Sequence, residues 1–302
     1  MKFRNVIESK QIFLLFFLTS QIFSNPLVES NWLSRNLCKE KVKVIEVGKS
    51  LNSYKVEHLN CASYTNFYND GWRISEKGVH MVLPDVDNIK KIFDKLGINN
   101  NDHIVLYPKK NDKYAMSEVT AIYFTFKYLG HKNISILNGG YPKFKSEFPL
   151  FTEEGDFGKY KKTNYEFEIN YSILAKAKDL KKNISKGNRI IDSREVDFYL
   201  GINKINGFSD FGTIESSINI PSMWNLKSRG LSFNSVEILR KVHQKVSNND
   251  TLEDDIYFCY AGLESSLNWF VAHEILKKKD VKLYEGSIFD WKRKDNTLFR
   301  NY

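Results

Sequence analysis

Cys259 is the residue of this sequence whose position most directly suggests chemistry. It follows the short apolar stretch IYF (256–258), and a turn containing Gly262 leads from it into the helical pattern SSLNWFVAHEILKK (265–278). A cysteine attacks as its thiolate, and backbone N–H groups at the start of a helix favour an anion there. The structural alternative is a small buried side chain, because free cysteine is among the most buried residue types.

The residues after Cys259 would supply the donors that a thiolate needs. A turn running into a helix directs several backbone N–H groups at one place, where they would stabilise an anionic sulfur. Glycine lets the backbone fold tightly around the sulfur. The carboxylate of Glu264, placed in the first helical turn, would disfavour both a thiolate and an anionic substrate. The expected backbone cradle consists of Tyr260, Ala261, Gly262, Leu263 and Glu264.

The patterns of cysteine and histidine do not indicate phosphatase activity, a disulfide framework or a metal site. Cysteine phosphatases need an arginine six residues after the cysteine, and Ser265 stands there. The three cysteines form no CxxC pair, so we expect neither a disulfide framework nor a zinc site. The six histidines are scattered without ligand spacing, so we expect no metal. We expect no organic cofactor either.

The length, the net charge and the N-terminal segment indicate the number of domains, the class of partner and the cellular location. The chain of 302 residues is long enough for two domains, and its net charge of +9 is spread along the chain without a nucleic-acid-binding motif, so we expect no nucleic-acid partner. Basic residues precede the apolar run IFLLFFL (12–18), and small residues follow it. This order predicts a secretory signal peptide over residues 1–24, with a mitochondrial presequence as the alternative, and no stable membrane insertion after its removal.

The rest of the chain reads as one α/β pattern that occurs twice. VKVIEV (42–47), HIVLYP (103–108), ISIL (134–137) and DIYFCY (255–260) are typical of buried strands, and residues 87–96 have the spacing of a helix with Asp87 as its N-cap. HIVLYP and DIYFCY are both followed by a helical segment and a further strand. Strands that alternate with helices predict a mostly parallel sheet flanked by helices. We therefore expect an N-terminal domain over residues 27–151, a polar linker over 152–170 and a C-terminal domain over 171–302.

Several segments together resemble the tandem-rhodanese sulfurtransferases, a family that includes thiosulfate and 3-mercaptopyruvate sulfurtransferases. The similar segments, in chain order, are GVHMVLP (78–84), KLGINNNDHIVLY (95–107), YLGHKNISILNGGYPKF (128–144), RIIDSR (189–194), INIPSMWNL (218–226), CYAGLES (259–265) and LYEGSIFDW (283–291). The resemblance implies two rhodanese-like domains, of which only the second carries a catalytic cysteine.

The family's chemistry implies a function for Cys259. A sulfane sulfur would move from 3-mercaptopyruvate or thiosulfate, both small anions, to Cys259 as a persulfide, and a thiol or cyanide would accept it. Some family positions differ here: Ala261 replaces an active-loop serine, and Leu200 stands where an arginine binds the substrate carboxylate. His80 matches a family histidine and Lys204 is the nearest cation to a second substrate arginine, so both are candidate substrate-binding residues. The alternative is a weakly active or inactive sulfur-carrier or binding protein.

Overall fold

The computed structural model describes residues 25–158, 160–245 and 254–302, which form two α/β domains and the segment that joins them. The signal peptide predicted for residues 1–24 lies outside the described residues. No helix within these ranges is both long and apolar enough to cross a lipid bilayer.

A five-stranded parallel sheet forms the centre of the first domain, in the order β1-β8-β7-β2-β4 among the described strands. The predicted strands 42–47, 103–108 and 134–137 are confirmed at those bounds, because each is a buried run rich in β-branched residues. The strands of this domain are β1 (Leu27–Val28), β2 (Val42–Val47), β3 (His58–Leu59), β4 (Ser63–Thr65), β5 (Ile74–Glu76), β6 (Val79–Val82), β7 (His103–Pro108), β8 (Ile134–Leu137) and β9 (Thr152–Glu153).

Helices cover both faces of this sheet. The helix predicted over 87–96 begins one residue earlier, and Asp85 rather than Asp87 caps it, because the Asp85 side chain accepts a hydrogen bond from the N–H of Asn88. The helices are α1 (Ser30–Ser34), α2 (Leu51–Val56), α3 (Val86–Leu96), α4 (Ala115–Tyr128) and α5 (Gly140–Glu147).

The second domain repeats the arrangement around a four-stranded parallel sheet, in the order β11-β10-β12-β13 among the described strands. Its strands are β10 (Ile190–Asp192), β11 (Ile218–Asn219), β12 (Ile256–Phe258) and β13 (Lys282–Leu283). Its helices are α6 (Ala177–Lys186), α7 (Val196–Leu200), α8 (Val236–Lys245), α9 (Leu263–Trp269) and α10 (Ser287–Arg293). Helix α9 continues as a π-helical segment (Phe270–Ile275). Short 3-10 turns lie at Tyr171–Ile173, Ser222–Asn225 and Lys227–Arg229. The prediction of two mostly parallel sheets is confirmed.

The segment predicted as a linker packs closely on the first domain. Strand β9 pairs antiparallel with β3, and the N–H of Thr163 donates to the Asp94 carboxylate on α3. Tyr165 is buried, and its ring lies 4.7 Å from that of Phe93. These contacts tie much of the segment to the N-terminal domain.

The two domains meet along α4 and α9. The rings of Phe124 and Trp269 lie 4.8 Å apart edge to face, and the hydroxyls of Thr120 and Ser266 hydrogen-bond at 2.9 Å in the buried interface. Because α9 starts at the Cys259 loop, this contact places the start of the loop's helix against the first domain.

The structure contains one disulfide, although the sequence led us to expect no disulfide framework. Cys38 and Cys61 are joined by a disulfide in the first domain, with their Cα atoms 5.3 Å apart. The sequence gap of 23 residues shows no recognisable spacing, so only the fold reveals the pairing. Since all three cysteines are described, Cys259 is left as the free thiol.

Candidate active site

The structure places Cys259 directly after β12, at the carboxyl end of the second parallel sheet. The loops at this end of a parallel sheet are the usual place for binding sites in α/β proteins. Cys259 is 1% exposed, and its carbonyl accepts a hydrogen bond from the N–H of Ile288 on α10. The corresponding strand of the first domain, β7, ends at Pro108 and is followed by Lys109. The thiol is therefore confined to the second domain.

Three hydrogen-bond donors converge on the Cys259 sulfur. The Ser265 hydroxyl lies 3.4 Å from Sγ and donates to it. The backbone N–H groups of Ala261 and Ser265 also donate to the sulfur and lower the pKa of the thiol. Burial acts in the opposite direction and is the larger effect, so the pKa of Cys259 is raised, and the nearby carboxyl of Glu264 raises it further.

The loop around the sulfur is held from outside by Ser287. Its hydroxyl accepts hydrogen bonds from the N–H groups of Cys259, at 3.0 Å, and Gly262, at 3.1 Å. It donates in turn to the carbonyl of Tyr284. The Gly262 N–H, which the sequence assigned to the cradle around the sulfur, thus points to Ser287. Leu263 begins α9, two residues earlier than the helix predicted from residue 265.

Gly262 is required by the geometry of this loop. Its φ of +74° lies in the left-handed region, and a Cβ there would stand 2.7 Å from the carbonyl oxygen of Glu285. The loop can approach the β13–α10 connection this closely only because position 262 has no side chain.

Glu264 brings an acid with an unusual pKa to the site. It lies in the first turn of α9, as its sequence position suggested. Burial and the charge of Asp192 raise its pKa to about 7, while Arg194 and Lys113 partly oppose that increase. Lys113 belongs to the first domain, so the electrostatics of the site involve both domains.

An aromatic side chain follows the cysteine. The Tyr260 ring packs against Phe198, Phe208 and Phe289 at centroid distances of 5.7, 5.6 and 6.2 Å, and the Arg194 guanidinium lies over it at 4.5 Å. These rings form a partly buried aromatic cluster beside the loop.

Arg194 and Asp192 form a buried ion pair. Nη2 of Arg194 lies 2.6 Å from the Asp192 carboxylate, and the Thr213 hydroxyl donates to the same carboxylate at 2.6 Å. Thr213 therefore braces this ion pair.

The structure places both candidate substrate-binding residues at exposed positions. His80, on β6 of the first domain, is exposed; it hydrogen-bonds Ser75 at 3.0 Å, and its ring lies 5.3 Å from Phe289. Lys204 is exposed, interacts with the carbonyl of Ser209 at 3.4 Å and lies over the Phe211 ring. His80 thus borders the aromatic cluster, and a substrate role for either residue stays a prediction.

The functional residues that the sequence did not single out are Ser265, Ser287 and Lys113. Ser265 occupies the sixth position after the cysteine, which was considered only as the place for a phosphatase arginine. Ser287 follows β13 in the segment LYEGSIFDW, which resembles the family. Lys113 reaches the site from the first domain, and no pattern in the sequence around it indicates this contact. Within the described ranges, no three His, Cys, Asp or Glu side chains are grouped as metal ligands would be.

Together, the fold and the site define an α/β protein with two parallel-sheet domains and a buried free thiol in the second. The family model of the rhodanese-like domain matches residues 29–147 and again residues 176–294. The chain therefore belongs to the rhodanese family, and it carries two copies of the domain, as its motifs indicated.

Two relatives match nearly the whole chain. The sulfur carrier protein TtuD of Thermus thermophilus is 30% identical, over 88% of this chain and 93% of its own length. Thiosulfate sulfurtransferase of Rattus norvegicus is 26% identical, over 92% of this chain and 95% of its own length. The family thus contains both enzymes and sulfur carriers.

Solved structures show the same fold. SseA of Escherichia coli, described as a 3-mercaptopyruvate sulfotransferase, superposes with a TM-score of 0.74 at 17% identity, covering 87% of this chain and 99% of its own. The 3-mercaptopyruvate sulfurtransferase of Leishmania major gives a TM-score of 0.73 at 17% identity, covering 89% of this chain and 74% of its own.

Proposed function

We propose that this protein is a sulfurtransferase that carries sulfane sulfur as a persulfide on Cys259. The observation that carries the proposal is the single free thiol at the carboxyl end of β12, to which Ser265 and the Ala261 N–H donate hydrogen bonds. Donors arranged in this way stabilise a thiolate before attack and a persulfide anion after it.

The reaction needs two displacements at sulfur. The Cys259 thiolate attacks the outer sulfur of thiosulfate, the S–S bond of the donor breaks and sulfite leaves with the electron pair. With 3-mercaptopyruvate, the C–S bond breaks instead, and the carbon takes a proton to give pyruvate. A thiolate or cyanide then attacks the terminal sulfur of the persulfide, and Cys259 leaves as the thiolate. No external oxidant or reductant is consumed.

The charge of Glu264 bears on the choice of donor. Its pKa of about 7 means that a growing share of the molecules carries a carboxylate beside the sulfur as pH rises above neutrality. This charge opposes a dianion such as thiosulfate more than the monoanion 3-mercaptopyruvate. We therefore propose 3-mercaptopyruvate as the preferred donor of the two, with thiosulfate as the alternative.

A donor panel tests the enzyme proposal. Purified protein is given each donor, with cyanide or a small thiol as acceptor, and the transferred sulfur is measured alongside Cys259→Ser. Transfer that depends on Cys259 supports the proposal, and transfer of equal rate in the variant contradicts it. A higher kcat/KM for thiosulfate than for 3-mercaptopyruvate at alkaline pH would contradict the donor preference.

A sulfur carrier is the second candidate function. It is favoured by the similarity to a relative named as a sulfur carrier. Mass spectrometry after donor treatment separates the candidates. A Cys259 persulfide that persists with cyanide or small thiols present favours the carrier, whereas rapid loss of the added sulfur favours the enzyme.

We also propose that the protein enters the secretory pathway. The leader pattern of residues 1–24 supports this location, and so does the Cys38–Cys61 disulfide, because disulfides persist mainly in oxidising compartments. Intact-mass analysis of the protein from its native cells tests the proposal. A shortened N-terminus with an oxidised Cys38–Cys61 pair supports it, and an intact N-terminus with both thiols free contradicts it.

A further inference from the structure

Arg73 of the first domain is buried at the domain interface. It is held within its own domain, because its guanidinium donates to the Thr125 hydroxyl at 2.8 Å and to the Ala121 carbonyl at 3.0 Å. Both of these acceptors lie on α4, the helix that packs against α9. These hydrogen bonds hold the guanidinium in place within the first domain, independently of its contact with the second domain.

The partner of Arg73 in the second domain is Glu285. Nε of Arg73 lies 3.0 Å from Oε1 of Glu285, and the two side chains are 3% and 8% exposed. The N–H direction does not align with this oxygen as a hydrogen bond would, so the contact is an ion pair held by charge. Burial raises the pKa of Glu285 to about 7, and the Arg73 charge opposes that increase.

Glu285 is directly connected to the Cys259 loop. Its carbonyl oxygen packs against Gly262, where even a Cβ would not fit. Two residues later, the Ser287 hydroxyl accepts hydrogen bonds from the N–H groups of Cys259 and Gly262. Ser287 itself has a φ of +50°, a left-handed conformation that a non-glycine residue keeps only where its surroundings hold it.

We propose that Arg73 and Glu285 are positioning residues through which the first domain, which lacks a cysteine at the corresponding strand end, holds the Cys259 loop in its donor-rich conformation. The importance of this loop for sulfur transfer rests on the proposed function. Loss of the pair leaves one buried charge without its partner, a situation that structures relieve by local rearrangement or by protonation. The Glu285–Ser287 backbone then loosens, and the hydrogen bonds of Ser287 to the loop weaken.

An ion pair elsewhere in the same interface provides a matched control. Lys127 on α4 lies 3.6 Å from Glu274, which belongs to the π-helical segment at the far end of α9 from the loop. Glu274 is also buried, at 7% side-chain exposure. Lys127→Met therefore removes a cross-domain charge pair without touching the Glu285–Ser287 connection.

Amide hydrogen exchange on the donor-free protein at about pH 8, where Glu285 is mostly ionised, tests the proposal. In Glu285→Gln and in Arg73→Met, we expect exchange of the Cys259 and Gly262 amides to accelerate about tenfold or more, corresponding to about 1.4 kcal/mol. Arg73→Lys, which keeps the charge, should restore part of the protection. The double variant should lose no more protection than the worse single variant, because both act through one pair. In Lys127→Met the two amides should keep their protection relative to other amides of the second domain.

Two results would overturn the proposal. One is unchanged exchange of the Cys259 and Gly262 amides in Glu285→Gln. The other is a loss of protection of the same size in Lys127→Met, which would mean that the pair contributes only general stability. If Arg73→Met fails to fold, Glu285→Gln and Arg73→Lys still decide the question. Because no sulfur donor is present, failure of the wild type to form a persulfide would contradict the proposed function and leave this comparison intact.

Discussion

The Ser265 hydroxyl donates a hydrogen bond to the Cys259 sulfur across 3.4 Å, within a site that is closed to solvent. Both residues are anchored by secondary structure, because Cys259 follows β12 and Ser265 lies in the first turn of α9. A hydroxyl held in this way favours the thiolate over the thiol, since the charged sulfur is the stronger acceptor.

Replacing Ser265 by alanine should therefore raise the pKa of Cys259. Hydrogen bonds to charged groups contribute about 1.5–3 kcal/mol, so we expect a rise of about one to two pH units. Thiolate absorbance followed against pH measures the change. Ser266→Ala is the control, because Ser266 hydrogen-bonds Thr120 and the Leu263 carbonyl instead. Equal thiol titrations in the two variants would contradict the assigned role of Ser265.

Glu264 should make the reactivity of Cys259 depend on pH in a second way. Its carboxylate disfavours the neighbouring thiolate, and it ionises with a pKa of about 7. Glu264→Gln removes that charge, so the pKa of Cys259 should fall and thiolate should appear at lower pH than in the wild type. A thiol titration that moves to higher pH in Glu264→Gln would show that the carboxyl acts on the sulfur by another route.

The same carboxyl should affect stability with a defined sign. Its pKa is raised in the folded state from the ordinary 4.5, so the folded protein binds this proton more tightly than the unfolded chain does. The Glu264 contribution to the free energy of unfolding thus becomes more favourable as pH falls from about 7 towards 4.5. Urea unfolding of wild type and Glu264→Gln at about pH 5 and about pH 8 measures it. We expect the wild type to gain stability relative to the variant at the lower pH, and a relative loss there would contradict the raised pKa.

Gly262→Ala should damage the loop by steric conflict as well as by backbone strain. Gly187, which ends α6 with a φ of +71°, serves as control, because a Cβ added there would meet no atom within 4 Å. A left-handed residue with a Cβ costs about 1–2 kcal/mol, which is the expected loss for Gly187→Ala. Gly262→Ala should lose more and should also expose Cys259 to alkylation. Equal losses in chemical unfolding would show that the Glu285 carbonyl can move away without difficulty.

The Cys38–Cys61 disulfide should stabilise the first domain. A cross-link that closes a loop with a sequence separation of 23 residues is expected to contribute about 3 kcal/mol through the unfolded chain. The double variant Cys38→Ser/Cys61→Ser should lower the free energy of unfolding by that amount, as measured in denaturant, whereas Cys259→Ser has no cross-link to lose. An unchanged unfolding midpoint in the double variant would be inconsistent with an intact disulfide in the protein.

The sequence predicted strands β2, β7 and β8 at their observed bounds because their signal is local, whereas the predicted strand 255–260 is only β12 (Ile256–Phe258) in the structure. Strand β7 coincides with HIVLYP, a continuous apolar run that a buried parallel strand requires. The sequence placed the start of α9 two residues late, because Gly262 and Leu263 do not form a recognisable capping pattern. The structure starts the helix at Leu263. A boundary error of this size is small for the fold and large for the site, since it decides which N–H groups face the sulfur.

Pairings between distant residues could not be predicted in the same way. Cys38 and Cys61 have no motif spacing, and Arg73 and Glu285 belong to different domains. Nothing in the residues near Arg73 indicates a buried carboxylate as its partner, because the partner is supplied by the docking of α4 on α9. The sequence therefore identified the nucleophile candidate, while the residues that hold its loop required the three-dimensional arrangement.

The most direct measurement is intact-protein and peptide mass spectrometry after incubation with 3-mercaptopyruvate or thiosulfate. We predict that one sulfur atom is added to the wild type, that the addition maps to Cys259 and that it is absent from Cys259→Ser. The added sulfur should disappear when cyanide or a thiol is supplied. A wild-type protein that acquires no sulfur from either donor, or that acquires it equally in Cys259→Ser, would contradict the account.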